Sequence, residues 1–399
     1  MIESNAGAPG KMQEAKLPRR DWILLPMLGI LAIFFLAGSV ELIAMWMFPQ
    51  LGTGAAGEDC MVFNDPSTGS RGIPHCRVME KIAEGELMEY RFNSSGFRSD
   101  EDFGPKTPGT YRIVMLGTSF TLGMRVPIEK TFAALLPLEL SRRTGLKVEL
   151  YNEAMPYRAP EVIADHFSEV LKAKPDMILW ALTAGDLSAR SGKVNLLPIS
   201  DRKNSFLVRA WHRVKAAYAA GSFMDLIRYI YRHTRTATLL THFLYSSQSQ
   251  LVKASIMTGG YMSEPTLEQK RGLKQFDQDS ARMETQAMNA GVPLVTVLLP
   301  DHGEADMILT QDLPSGVDPY SRDKELRSII TSHGGTYIDI FSDLRNKPDL
   351  QRGYFIAEGH PNALGHAIFT EVLAQELTNG SVPALKVAAQ PQSALKQGR

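Results

Sequence analysis

This chain predicts an α/β fold built on a buried parallel sheet, and two observations carry the prediction. Ile113-Val114-Met115-Leu116 is an unbroken apolar run, as a strand covered on both faces requires. Comparable runs return at Met177–Leu182 and Leu294–Leu299, with helix-like segments between them. That alternation argues a parallel sheet with helices on both faces.

Composition bounds the rest. In 399 residues Lys+Arg 43 balances Asp+Glu 43, so no basic field points to nucleic acid as a partner. A hydrophobic share of 44% is enough for a sizeable core.

The N-terminus departs from that average. Trp22 to Val40 is a run of about 19 uncharged residues, close to the length that crosses a bilayer core. After Glu41 the apolar character resumes from Leu42 to Phe48, with Trp46 at an interfacial position. Lys11, Lys16, Arg19 and Arg20 precede the run. By the positive-inside rule residues 1–21 stay cytoplasmic, 22–48 form a signal anchor, and the remainder is exported. A buried core helix and a cleaved signal peptide are the alternatives. The run is longer than a typical signal core and has no clear small-x-small cleavage site. The expected location is therefore the inner membrane, single-pass, with the main domain on the periplasmic side.

Residues 49–108 read as a loop-rich connector. Its two cysteines, Cys60 and Cys76, are near neighbours in an exported segment and are expected to form a disulfide. No His/Cys cluster has metal-ligand spacing, so neither a metal nor a cofactor is expected.

The alternating domain is placed at 109–379. After the first strand, Thr131 to Arg143 is helix-like up to Gly145, with Pro137 implying a kink or a late start. Val148–Asn152 is the second strand, and Ile163, Phe167, Val170 and Leu171 mark one helix face. Met177–Leu182 ends in Thr183-Ala184-Gly185-Asp186, and Leu294–Leu299 in Pro300-Asp301-His302. Tyr337–Ile340 is the last strand, Ala363 to Leu377 the last helix, and 380–399 a disordered tail. A helical insertion spans 187–261. Arg202, Lys203, Arg209, Arg213, Lys215, Arg228, Arg232 and Arg235 make it basic, as a solvated cap or as a surface near anionic lipid headgroups.

Chemistry is expected where the first strand ends. In Gly117-Thr118-Ser119-Phe120-Thr121-Leu122-Gly123 the glycine turns the chain, and Ser119 follows the carboxyl end of a strand, where open α/β sheets place ligands. A serine needs a base. Glu358-Gly359-His360-Pro361-Asn362 supplies a loop histidine before the last helix, with a carboxylate two residues earlier to orient its ring. Asp301 and His302 read as strand-end polar residues, His366 as a packing or capping residue, and Asp186 as an organiser of the site loop.

With these residues in hand, the chain resembles the SGNH, or GDSL-type, hydrolases. The stretch Gly117–Gly123 looks like their first block, with Thr118 where Asp is usual, and His360–His366 closely matches their last. The Gly96-Phe97-Arg98 lead-in and the anchor look like a membrane-tethered subgroup. The resemblance implies a three-layer α/β/α sandwich with flavodoxin-like winding. It also implies hydrolysis or transfer of an acyl group through an acyl-serine, with Ser119 as nucleophile, His360 as base and Glu358 in the place of the usual Asp. O-acetyl groups on envelope or secreted polysaccharide are the substrate it suggests. The oxyanion positions depart from the pattern. Ala154 stands where the family has a glycine, and Gly185 where it has an asparagine. Asn152 and Thr183 are the candidate substitute donors. A catalytically degenerate domain serving as a glycan-binding or scaffold protein is therefore the second expectation.

Overall fold

A computed structural model describes residues 20–47, 56–65, 69–82, 84–188, 234–257, 261–310 and 313–387. The chain divides into two units, Met1–Pro49 and Gln50–Arg399. The first contains one helix, α1 (Asp21–Met47), whose 27 residues make it long and apolar enough to cross a membrane. At 1.5 Å per residue it is about 40 Å long, more than a bilayer core needs.

In the second unit the connector is more ordered than expected. It folds into two antiparallel hairpins, β1 (Met61–Asp65) with β2 (Gly69–Gly72), and β3 (Arg77–Lys81) with β4 (Leu87–Arg91). The disulfide Cys60–Cys76 is formed. Cys60, Met61, Met88, Tyr90 and Phe92 make a small core with Leu122, Met124, Ala154 and Met155. Alternating residues such as Met88 and Tyr90 thus bury one strand face against the loop that follows Ser119.

The sheet itself holds five parallel strands. They are β5 (Thr110–Gly117), β6 (Lys147–Asn152), β7 (Met177–Leu182), β8 (Leu294–Leu298) and β9 (Thr336–Ile338). Their order is β6-β5-β7-β8-β9, so the winding reverses direction beside β5. Ile113 through Leu116 and all of β7 are buried, which explains the unbroken apolar runs. β9 ends at Ile338, two residues short of the expected Ile340, which instead is the N-cap of a short helix, Phe341–Leu344.

Helices cover the sheet: α2 (Ser119–Leu122), α3 (Phe132–Thr144), α4 (Pro160–Asp165), α5 (Phe167–Lys172), α6 (Arg235–Tyr245), α7 (Gln248–Met257), α8 (Leu267–Asn289), α9 (His302–Leu309), α10 (Ser321–Ser332), α11 (Phe341–Leu344) and α12 (Ala363–Glu376). Pro137 neither delays nor ends α3, which starts at its Thr131 cap and buries Phe132, Ala133, Leu136 and Leu140. That apolar face outweighs the one backbone bond a proline removes. The expected single helix after β6 is two, α4 and α5, broken at His166. Of the insertion, residues 187–188, 234–257 and 261 are described, and they include α6 and α7. Arg202, Lys203, Arg209, Arg213, Lys215, Arg228 and Arg232 lie outside the described residues. Order continues past Gly380, because Val382 and Leu385 are buried in the main core. The chain beyond residue 387 is outside the described part.

Candidate active site

Gly117 ends β5 against its neighbours. A Cβ there would collide with the Ala181 carbonyl oxygen on β7 and with the Thr121 side chain, so only glycine lets the strand turn this sharply. Thr118 then caps α2 and Ser119, partly exposed, is its first residue. Thr118 Oγ1 donates to Asp186 Oδ2 at 3.1 Å. The same oxygen accepts the Thr183 N–H at 2.8 Å and the Thr183 hydroxyl at 3.0 Å. One buried carboxylate therefore ties the serine turn to the loop after β7. Burial pushes the Asp186 carboxyl above its ordinary range, against these three hydrogen bonds.

The histidine arrives on a loop pinned at both ends. Phe355 N–H donates to the His360 carbonyl at 2.9 Å, and Asn362 N–H to the Gly353 carbonyl at 2.9 Å. Asn362 caps α12 by accepting from Leu364 N–H (2.9 Å) and Gly365 N–H (3.2 Å). Its amide donates back to the carbonyls of Arg352 (2.7 Å) and Tyr354 (3.1 Å). Asn362→Ala is expected to lower stability by about 1–2 kcal/mol through the lost cap, read as a fall in Tm, with a drop in any His360-dependent rate.

His360 Nδ1 lies 2.5 Å from Glu358 Oε2. Burial favours the neutral Glu358 carboxyl, but the charges of His360 and Arg125 outweigh it and hold the group down to about 2. An ionised carboxylate only accepts, so Nδ1 carries the proton and Nε2 is left as the basic nitrogen. Nε2 is buried and has no partner among the described residues, the Ser119 hydroxyl included. The His360 ring packs 5.2 Å from that of Phe120, the residue after Ser119. The serine turn and the histidine loop therefore meet, with the base not yet engaged.

Behind this pair stands a group that sequence reasoning missed. Arg125 Nε donates to Glu358 Oε1 at 2.9 Å, and its Nη1 donates to Glu80, which is 1% exposed. Arg125 holds φ +69°, a left-handed conformation rarely adopted by long side chains. Its N–H is taken by the Tyr90 hydroxyl at 2.8 Å. The buried Arg98 of the Gly96-Phe97-Arg98 lead-in shapes the same loop, donating to the carbonyls of Leu122, Gly123 and Val126. A cation two residues past Gly123 was the available signal, but its two carboxylate partners lie 45 and 233 residues away in sequence.

The expected oxyanion donors do not converge. Ala154 N–H is spent on Asn152 Oδ1 at 3.1 Å, and the Asn152 amide on the Thr121 carbonyl at 2.8 Å. The Thr183 hydroxyl is spent on Asp186. Buried polar groups bond to whatever lies nearest, and here those partners are structural. Asn152 and Thr183 thus brace their loops in this structure. The Ser119 N–H stands at the first position of α2, before the helix's first intrahelical bond. Gly185 is exposed, and a Cβ there would come no nearer than 3.7 Å to Thr183 Oγ1. Gly185→Asn therefore fits and adds an amide beside the serine turn. Since one such donor is worth about 10²–10³ in rate elsewhere, turnover is expected to rise at least about tenfold, measured as kcat on a small acyl ester.

The other polar residues resolve as structural. Asp301 caps α9 in a reciprocal pair with Glu304 and accepts from the Tyr261 hydroxyl at 2.5 Å. His366 Nδ1 accepts the Phe132 N–H at 3.2 Å, and burial pushes this imidazole down to about 3.

A serine just past the carboxyl end of β5, at the winding reversal, and a carboxylate-held histidine before the last helix thus come together on one parallel α/β domain. No protein-family model and no curated protein sequence matches the chain. Among solved structures it is similar to the lipase/acylhydrolase from Enterococcus faecalis, at 13% identity over 70% of this chain and 99% of that one, with a TM-score of 0.36. A catalytic mutant of an acetylxylan esterase from Geobacillus stearothermophilus gives 10% identity, 67% and 94% coverage, and a TM-score of 0.37. The esterase EstA from a Pseudoalteromonas species gives 11%, 67% and 96%, and 0.36.

Proposed function

We propose that the domain is a serine ester hydrolase, with Ser119 as nucleophile, His360 as general base and Glu358 as the carboxylate that sets the imidazole's tautomer. The observation that carries this is Glu358 held between Arg125 and His360 Nδ1, with the His360 ring packed on Phe120 beside the serine turn. Ser119 Oγ attacks the ester carbonyl and its proton passes to His360 Nε2. The tetrahedral intermediate then collapses to an acyl-serine as the imidazolium returns that proton to the departing alkoxide. Water, or a sugar hydroxyl in a transfer reaction, attacks the acyl-serine through the same base.

The wider reading is an exported enzyme, tethered in the inner membrane by α1, acting on O-acyl groups of envelope or secreted polysaccharide. The length and apolarity of α1 support the tether, and the Cys60–Cys76 disulfide supports an oxidising compartment. The test is hydrolysis of p-nitrophenyl acetate by wild type and Ser119→Ala, with fluorophosphonate labelling. The expected result is labelling at Ser119 and a loss of about 10³-fold or more in the variant.

The committed donors of Ala154, Asn152 and Thr183 favour one second reading, a glycan-binding or scaffold domain that keeps the cleft without turnover. Equal rates in both proteins and no labelling would select it.

A further inference from the structure

Next to the histidine loop lies a cavity of about 670 Å³ that the proposed chemistry does not use. Its walls come from the loop after Gly353, the start of α9, the α6–α7 junction and the first turn of α12. Neither Ser119 nor His360 lines it. Arg125 and Phe355 do, so it shares a wall with the residues that hold Glu358 and His360.

Two buried polar residues, His302 and Asp306, line it from α9. They stand four apart and so share one helix face. Asp306 is 1% exposed, and its Oδ1 has no partner among the described residues. Leaving such an oxygen without a partner is unfavourable, and a ligand donor would relieve it. His302 is also buried, with its ring stacked on Tyr354 at 4.9 Å and 9°. Burial pushes the Asp306 carboxyl up to about 7 and the His302 imidazole down to about 4, so near neutrality the imidazole is uncharged and the carboxyl is present both as acid and as carboxylate.

The charged groups on the same walls are paired among themselves or with groups outside the cavity. Arg125 holds Glu80 and Glu358, Glu84 meets His242, Glu86 takes Lys130 and Arg352 takes Asp349. An anionic ligand would meet Glu84, Glu86 and Asp306. An acyl chain would seal the Asp306 oxygen off without a donor. The walls offer a ligand the Asp306 carboxyl, the His302 imidazole, the Gln351 amide and the aromatic surfaces of Tyr245 and Phe355. That set, in a volume typical of small-molecule sites, suits a compact neutral molecule bearing several hydroxyls.

The geometry points to this cavity as a binding site for a neutral glycosyl residue, its hydroxyls bridging Asp306 and His302. The inference deepens the ester-hydrolase reading by placing the sugar of an acylated glycan, and rests on it only for that role. Binding itself can be measured without turnover. Full-length Ser119→Ala in a sugar-free detergent would be titrated calorimetrically with xylose, N-acetylglucosamine and cellobiose, and with galacturonate and octanoate as competing chemistries. The expected result is saturable binding of at least one neutral sugar, weakened at least about tenfold by Asp306→Leu and kept by Asp306→Asn. Gln351→Trp, which fills the cavity from its rim, is expected to abolish binding even if Asp306→Leu does not fold. No heat with any neutral sugar, tighter binding of galacturonate or octanoate, or binding indifferent to Asp306→Leu and Gln351→Trp would overturn it. An inactive protein that binds sugar leaves the inference standing and removes only the esterase reading.

Discussion

Glu358→Gln is expected to lower kcat on a small acyl ester by about ten-thousand-fold with little change in KM. The size follows from what Arg125 imposes on the replacement. A glutamine has one acceptor oxygen and one donor nitrogen on its amide. Arg125 Nε, at 2.9 Å from Oε1, only donates and claims the oxygen. The amide NH2 then faces His360 Nδ1, which must become the acceptor, and the ring proton moves to Nε2. A base protonated at its working nitrogen cannot take the Ser119 proton. The same tautomer error in a serine protease costs about 10⁴ in kcat. Glu358→Asp keeps the charge but shortens the arm, and is expected to lose far less. A Gln variant within tenfold of wild type would show that Glu358 does not set the tautomer.

Arg125→Met is expected to act first on stability. Glu80, 1% exposed, would lose the cation beside it. Removing one partner of a buried ion pair typically costs about 3–5 kcal/mol, visible as a large fall in Tm. The pH dependence has a definite sign. Glu358 is depressed to about 2 by His360 and Arg125. The stability it contributes is thus present above the ordinary carboxylate range and lost as pH falls towards 2. Without Arg125, burial of Glu358 is opposed by His360 alone, so its carboxyl rises towards the ordinary range and the variant has less of this stability to lose as pH falls. The stability gap between wild type and Arg125→Met should therefore narrow as the medium is acidified. Adding Glu80→Gln to Arg125→Met should recover most of the stability while leaving the rate depressed, which separates the structural role of Arg125 from its hold on Glu358. A gap independent of pH would refute the coupling.

Much of this was legible in the sequence. The buried strands announce themselves because a parallel sheet covered on both faces admits only apolar side chains over several consecutive residues. Ser119, Glu358 and His360 could be picked out because short-range pattern, a turn glycine after a strand and a loop histidine before a helix, sets where their side chains go. Hairpins β1–β4 were less visible, since their strands are short and half-buried and only Met88 and Tyr90 alternate cleanly.

What the sequence could not decide was the fate of each polar group at the site. Asn152 and Thr183 looked like spare donors, and only the folded chain shows their bonds running to Thr121 and Asp186. Arg125 carries no local signature, because its meaning lies in Glu80 and Glu358, brought to it by β3 and by the loop before α12. A hydrogen bond is decided over about 3 Å, and residues far apart in the chain come that close only once the core has set the distance between the loops. The chain alone thus determined the sheet, the turn at Gly117 and the serine and histidine that flank it. Tertiary structure decided which neighbours the polar groups around Ser119 bond to, and placed the cavity of His302 and Asp306 next to the histidine loop.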